Sequence, residues 1–99
     1  MEKGKLVRNA DKKRFELMVG DQLAYLEYIP AGQNIVLSHT EVPAALEGQG
    51  IGSQLVRQVL AWVRDEGKQI IIVCPFVAAF MQRHPENLDL VFGYRPREG

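Results

Sequence analysis

A single cysteine in 99 residues cannot close an internal disulfide, so a packed core must hold the fold. The expected compartment is a reducing one, the cytoplasm. Surplus charge of either sign is also missing: twelve Lys and Arg stand against twelve Asp and Glu, a formal net charge of zero. A nucleic-acid binder needs a basic surplus to neutralise phosphates, and a membrane-surface module needs a polybasic patch, so neither partner is expected. Long apolar runs are absent. The stretch Ile70 to Cys74 is far too short to cross a bilayer, and nothing apolar follows Met1-Glu2-Lys3-Gly4-Lys5 that would read as a signal peptide. Two histidines and one cysteine, widely separated, form no zinc pattern, so no metal is expected. What is present is an ordinary globular composition, 46% hydrophobic and 24% charged, at a length that suits one domain over residues 1–99. No repeat, low-complexity stretch or linker interrupts it, and a monomer is expected.

The hydrophobic pattern changes period midway. Phe15, Leu17 and Val19 alternate with Arg14, Glu16 and Met18, a period of two that suits a half-buried strand. Gly20-Asp21 marks a tight hairpin, and the partner run extends from Gln22 to Ile29. A turn at Pro30 to Asn34 leads into a third strand, Ile35 to Val42, and Leu6-Val7-Arg8 adds a short strand at the front. From Ile51 the apolar positions become Ile51, Leu55, Val56, Val59, Leu60 and Val63, one stripe of an α-helix that Gly67 stops. Trp62, at the margin of that stripe, reads as packing. Ile70 to Val73 predicts a strand buried on both faces. Pro75 opens a second helix to about Arg83, closed by His84-Pro85. The fold class is therefore α/β (α+β): an antiparallel meander, then a helix, a buried strand parallel to the one before the helix, and a helix.

Between the third strand and the first helix lies Val42-Pro43-Ala44-Ala45-Leu46-Glu47-Gly48-Gln49-Gly50-Ile51-Gly52. Alternate glycines let the backbone turn sharply and leave its N–H groups unobstructed. The helix that starts there adds unpaired donors and a partial positive charge, which together suit a phosphate or pyrophosphate. The spacing is neither that of a nucleoside triphosphate loop nor that of a dinucleotide fold. Alternatively, the glycines only shape the turn from strand to helix.

In this loop the sequence resembles the GNAT N-acetyltransferase superfamily, whose signature is Gln or Arg, two residues, Gly, one residue, then Gly or Ala. Gly50-Ile51-Gly52 fits that pattern, while Glu47 departs from it at the Gln or Arg position. His39-Thr40-Glu41-Val42-Pro43, Cys74-Pro75-Phe76 and His84-Pro85-Glu86 narrow the resemblance to the small stand-alone GNAT-like branch. It covers the chain from about Phe15 to Leu90. The resemblance implies a minimal GNAT-like fold and acetyl-CoA, or coenzyme A itself, as the ligand. The cofactor would be bound by Val42, Gly48, Gln49, Gly50, Ile51, Gly52 and Ser53, with its pyrophosphate on the Gly48–Gly52 loop. The pantetheine would lie between splayed strands, Ile35–Val42 and Gln69–Cys74. It further implies an amine acceptor, on a small molecule or exposed on a protein. Larger members carry two helices between their first two strands, for which the connection Asn9 to Lys12 is too short, so the acceptor side should be open. They also place a tyrosine on the last helix that protonates the leaving thiolate, and Phe80 stands about there.

Cys74 falls where a strand ends and a helix begins, a position that stabilises a thiolate. It reads equally as a small buried hydrophobe. His39 and Glu41 are two apart on one strand, hence on one face, and His39 is expected to approach Cys74 across the splayed strands. A cysteine beside a histidine base is a nucleophile arrangement, and the resemblance implies Cys74 as an acetyl acceptor or acid. In the direct route, His39 or Glu41 is the base. Each has a plainer reading: His39 as a structural histidine, Glu41 as a solvated carboxylate. The competing functions are a CoA-binding or partner-binding module without turnover, and a thiol redox sensor at Cys74. No second cysteine is present to resolve an oxidised sulfur.

Overall fold

The computed structural model describes residues 4–95. Five strands form one sheet in sequence order: β1 (Leu6–Asn9), β2 (Arg14–Val19), β3 (Gln22–Ala31), β4 (Asn34–Glu41) and β5 (Gln69–Ile72). The first four pair antiparallel through short turns, as their period-two patterns and Gly20 and Gly32 at positive φ dictate. Helix α1 (Ile51–Asp65) carries the chain across to β5, which pairs parallel with β4 from Asn34↔Gln69 to Leu37↔Ile72. Helix α2 (Pro75–Arg83) follows directly, with Pro75 at its first turn. Two 3-10 turns, Ala44–Leu46 and Pro85–Leu90, are additions that sequence periodicity does not reveal.

Residues directly opposite in paired strands point to the same face, so the register sorts the sheet into two sides. Phe15, Leu17, Ala24, Leu26, Tyr28, Ile35, Leu37 and Ile70 form one side and are buried. Helix α1 packs on β1, β2, β3 and β5, while α2 packs on β4, β5 and α1, and the buried side chains make one continuous core. The α1 stripe read from the sequence is buried throughout, each such Leu or Val contributing about 1.5–3 kcal/mol relative to exposure. Trp62 packs edge-on to Phe15 at 5.1 Å between ring centroids, under the Arg8 guanidinium. The other side of the sheet, with Glu16, Met18, Tyr25, Ile29, His39 and Glu41, is half-buried or exposed.

Two expectations change. The run Ile70 to Val73 is not buried on both faces: Ile70 is buried, Ile71 and Ile72 are half-buried, and Val73 is 62% exposed. The cause is position, because β5 borders the sheet and, among the described residues, is met on its outer edge only by a bridge from Ile70 to Val91. The strands are also less regular than alternation implies. Leu37 lies opposite Tyr28 and His39 opposite Glu27, so Ser38 is an extra residue, a β-bulge whose hydroxyl donates to the Glu27 carbonyl at 3.2 Å.

Candidate functional site

The bulge decides which side chains reach the cleft. Without it His39 would share the face of Leu37, beneath the helices. With it, Thr40 pairs with Leu26 and takes that face, and His39 and Glu41 turn to the open side. Thr40 Oγ1 accordingly lies 3.3 Å from Cys74 Sγ, while His39 Nε2 lies 3.0 Å from Glu41 Oε1. The expected approach of His39 to Cys74 is thus corrected: a hydroxyl stands where the imidazole was expected. That His39 and Glu41 share a face holds, since they are hydrogen-bonded to each other.

Beyond Leu37 and Ile72 the parallel strands part. The N–H groups of Val73 and Cys74 both donate to the Leu37 carbonyl, which ends the ladder. The Cys74 side chain is 2% exposed and serves as the N-cap residue of α2, with no capping hydrogen bond from its sulfur. Beside the end of β4 opens a cleft of about 460 Å³, which Cys74 does not line. Its walls include Thr40, Glu41 and Val42 from the end of β4, the glycine loop, and Phe76 and Arg83 from α2.

The loop is shaped by its glycines. Gly48 (φ 80°) and Gly50 (φ 74°) occupy the left-handed region, where a Cβ is strained and hydrogen is not. Gly50 is the N-cap of α1, no side chain caps that end, and no acidic residue lies in its first turn. The first N–H groups of α1, at Ile51, Gly52 and Ser53, therefore have no side-chain cap, and these three residues line the cleft at the positive end of the helix. Gly52 is demanded by packing instead: a Cβ there would stand 2.5 Å from Cζ of Phe76. Gln49 is turned aside, its amide donating to the Ala45 carbonyl at 3.3 Å. These residues fit a phosphate group, with unobstructed backbone donors and a cradle that side chains would fill.

Arg83 is the residue that sequence reasoning missed. It falls seven residues after Phe76, so both lie on one stripe of α2, and that spacing was the available signal. Phe80 lies behind this surface, 1% exposed, with its ring 4.3 Å from that of His84. It is a core residue, which accounts for its apolar character. Among the described residues, no group of three or more His, Cys, Asp or Glu side chains is placed to hold a metal.

A mixed sheet that parts at the uncapped start of a helix, with a glycine cradle and a cleft beside it, defines a small α+β domain built around a phosphate-sized anion site. The profile of the GCN5-related N-acetyl-transferase family matches residues 14–90, and the chain belongs to that family. Protein NATD1 of Bos taurus is 36% identical over 63 residues, 63% of this chain and 56% of that protein. The chain thus spans little more than half the length of this relative. Protein NATD1 of Danio rerio is 30% identical over 88 residues, 82% of this chain and 80% of its own length. Among solved structures, a GCN5-like protein from Staphylococcus aureus superposes with a TM-score of 0.70 at 23% identity, covering 99% of this chain and 97% of that one. At that identity the likeness establishes the fold, which is the minimal GNAT-like fold expected from the sequence.

Proposed function

We propose that this chain binds acetyl-CoA in the cleft and transfers the acetyl group to an amine. The observation that carries this reading is the start of α1, where left-handed Gly50 leaves three N–H groups uncapped beside the parting of β4 and β5. Acetyl-CoA supplies an acyl carbon activated by a thiolate leaving group. The backbone at Gly48 to Ser53 holds the pyrophosphate, with Val42 and Ile51 lining the same end. Glu41 stands at the mouth of the cleft, hydrogen-bonded to His39, and this pair takes the proton released by the attacking amine, directly or through water. Cys74 sits where the strands part and has two roles open to it: accepting the acetyl group on Sγ, or returning a proton to the departing thiolate. The acceptor reaches the site across the open side of the sheet, which no helix covers among the described residues. An exposed amine on a larger partner, or a small amine held weakly, fits that approach.

A nitrogen-15 NMR titration with CoA, followed by intact mass after exposure to acetyl-CoA, tests this. Amide shifts concentrated at Gly48 to Ser53, with acetyl appearing on Cys74 or on a supplied amine, support it. Shifts without transfer favour a CoA-binding module, a reading that the depth of Cys74 behind Thr40 also serves. Absence of shifts at the loop overturns both.

A further inference from the structure

The charges in the cleft are unevenly arranged. Glu41 and Glu47 both line it, and Glu47 occupies the loop position next to the helix start. Among the described residues that line it, Arg83 is the only cation. Arg83 is exposed and makes no ion pair with any described carboxylate, although Glu47 shares its cleft. An anion seated on the backbone N–H groups would therefore meet two carboxylates and one guanidinium. Phe76 contacts the start of α1 at Gly52, and Arg83 lies two turns further along α2, about 10 Å by the helix rise. Arg83 is thus carried two turns away on α2 from the residue that meets the start of α1, while lining the same cleft.

We infer that Arg83 binds the 3′-phosphate of coenzyme A and makes the cleft discriminate CoA from dephospho-CoA. The assignment rests on the reading that the loop holds the pyrophosphate. Coenzyme A carries two anionic centres separated by a ribose, and the cleft offers two donors of different kinds at separate places: backbone N–H groups at one, a planar guanidinium at the other. A phosphate monoester matches the forked donors of arginine, which bind it bidentately.

Isothermal titration of the wild-type protein and of Arg83→Gln with CoA and with dephospho-CoA tests this. The wild type is expected to bind CoA about tenfold more tightly than dephospho-CoA, and Arg83→Gln to lose that preference while binding dephospho-CoA as the wild type does, since one charge-assisted pair is worth roughly a factor of ten. Arg83→Lys keeps a charge without the fork and should retain part of the preference. Equal weakening of both ligands in Arg83→Gln would place the guanidinium on the pyrophosphate and overturn the inference. An unchanged preference would leave Arg83 as a favourable charge at the helix C-terminus, with the same consequence. If the wild type binds neither ligand, the acetyl-CoA reading itself fails, and this assignment with it. Arg83 is exposed, so the variants should fold, and their amide spectra verify this.

Discussion

At the residue scale the site is governed by which face each side chain occupies. Thr40, not His39, meets Cys74, and neither Ser38 nor its neighbours announce the bulge that causes this. A glycine or proline would have marked it, but Ser38 sits in an otherwise regular alternation. The glycine loop between strand and helix was legible in the sequence, and the pairing of side chains around it was not. Two outcomes follow from the arrangement. Cys74→Ala is expected to lower turnover at least a hundredfold, the usual scale for a positioned acid, base or nucleophile, with CoA affinity kept within about twofold. A normal rate in steady-state assays with this variant would reduce Cys74 to packing. Glu47→Gln removes a carboxylate from the cleft and should tighten CoA binding two- to threefold at low salt, an effect of the size found for exposed charges that fades as salt rises. Weaker binding in a titration of Glu47→Gln would show that the carboxylate does not oppose the ligand.

At the element scale the sequence was most informative where one periodicity or one breaker governs. Helix α1 begins at Ile51 and α2 spans Pro75–Arg83, as the apolar stripe and the two prolines require. It was least informative where neighbours decide, as in β5, whose run of isoleucines reads as a central strand and lies at an edge. The loop glycines are equivalent on paper and differ in cause, which their alanine variants expose. Gly50→Ala forces a Cβ into the left-handed region and should cost about 1–2 kcal/mol in urea unfolding, while displacing the N–H groups at the start of α1. Gly52→Ala keeps helical angles, where alanine is favoured by roughly 0.5–1 kcal/mol over glycine, but pushes against the ring of Phe76. Phe76 is 38% exposed, so its ring can yield toward solvent at little cost, and the two effects should nearly offset in stability. CoA affinity should fall all the same, because the cleft wall moves. A loss of stability in Gly52→Ala as large as in Gly50→Ala would refute this division between conformation and packing.

At the scale of the whole molecule, zero net charge takes on a local meaning under the proposed function: anion recognition would rest on backbone donors and one arginine, not on a basic surface. Two ion pairs elsewhere act locally, one within β2 and one between α1 and the last 3-10 turn. Arg64 on α1 makes a bidentate pair with Asp89 of the last 3-10 turn at 2.7 and 3.1 Å, and Arg14 pairs with Glu16 at 2.6 Å. The Arg64 hydrogen bond holds the Asp89 carboxyl below its ordinary pKa, and the Arg14 hydrogen bond does the same for Glu16. A carboxylate with a lowered native pKa stabilises above its unfolded pKa and loses that contribution as pH falls through the native one. The stability gap between wild type and Asp89→Asn should accordingly be present at pH 7 and vanish below the carboxylate range, as urea unfolding at the two pH values would reveal. A gap that persists in acid would mean that Asp89 acts through packing. Ligand binding probes the same global equilibrium from the other side. A ligand that binds only the folded chain, at a hundred times its Kd, adds about 2.7 kcal/mol of stability, which for a domain of this size raises Tm by roughly 10 °C or more. CoA should produce that rise in a thermal unfolding series, dephospho-CoA a smaller one, and Arg83→Gln should bring the two to the same value. A Tm that ignores CoA across its concentration series would remove coenzyme A from the account of this fold.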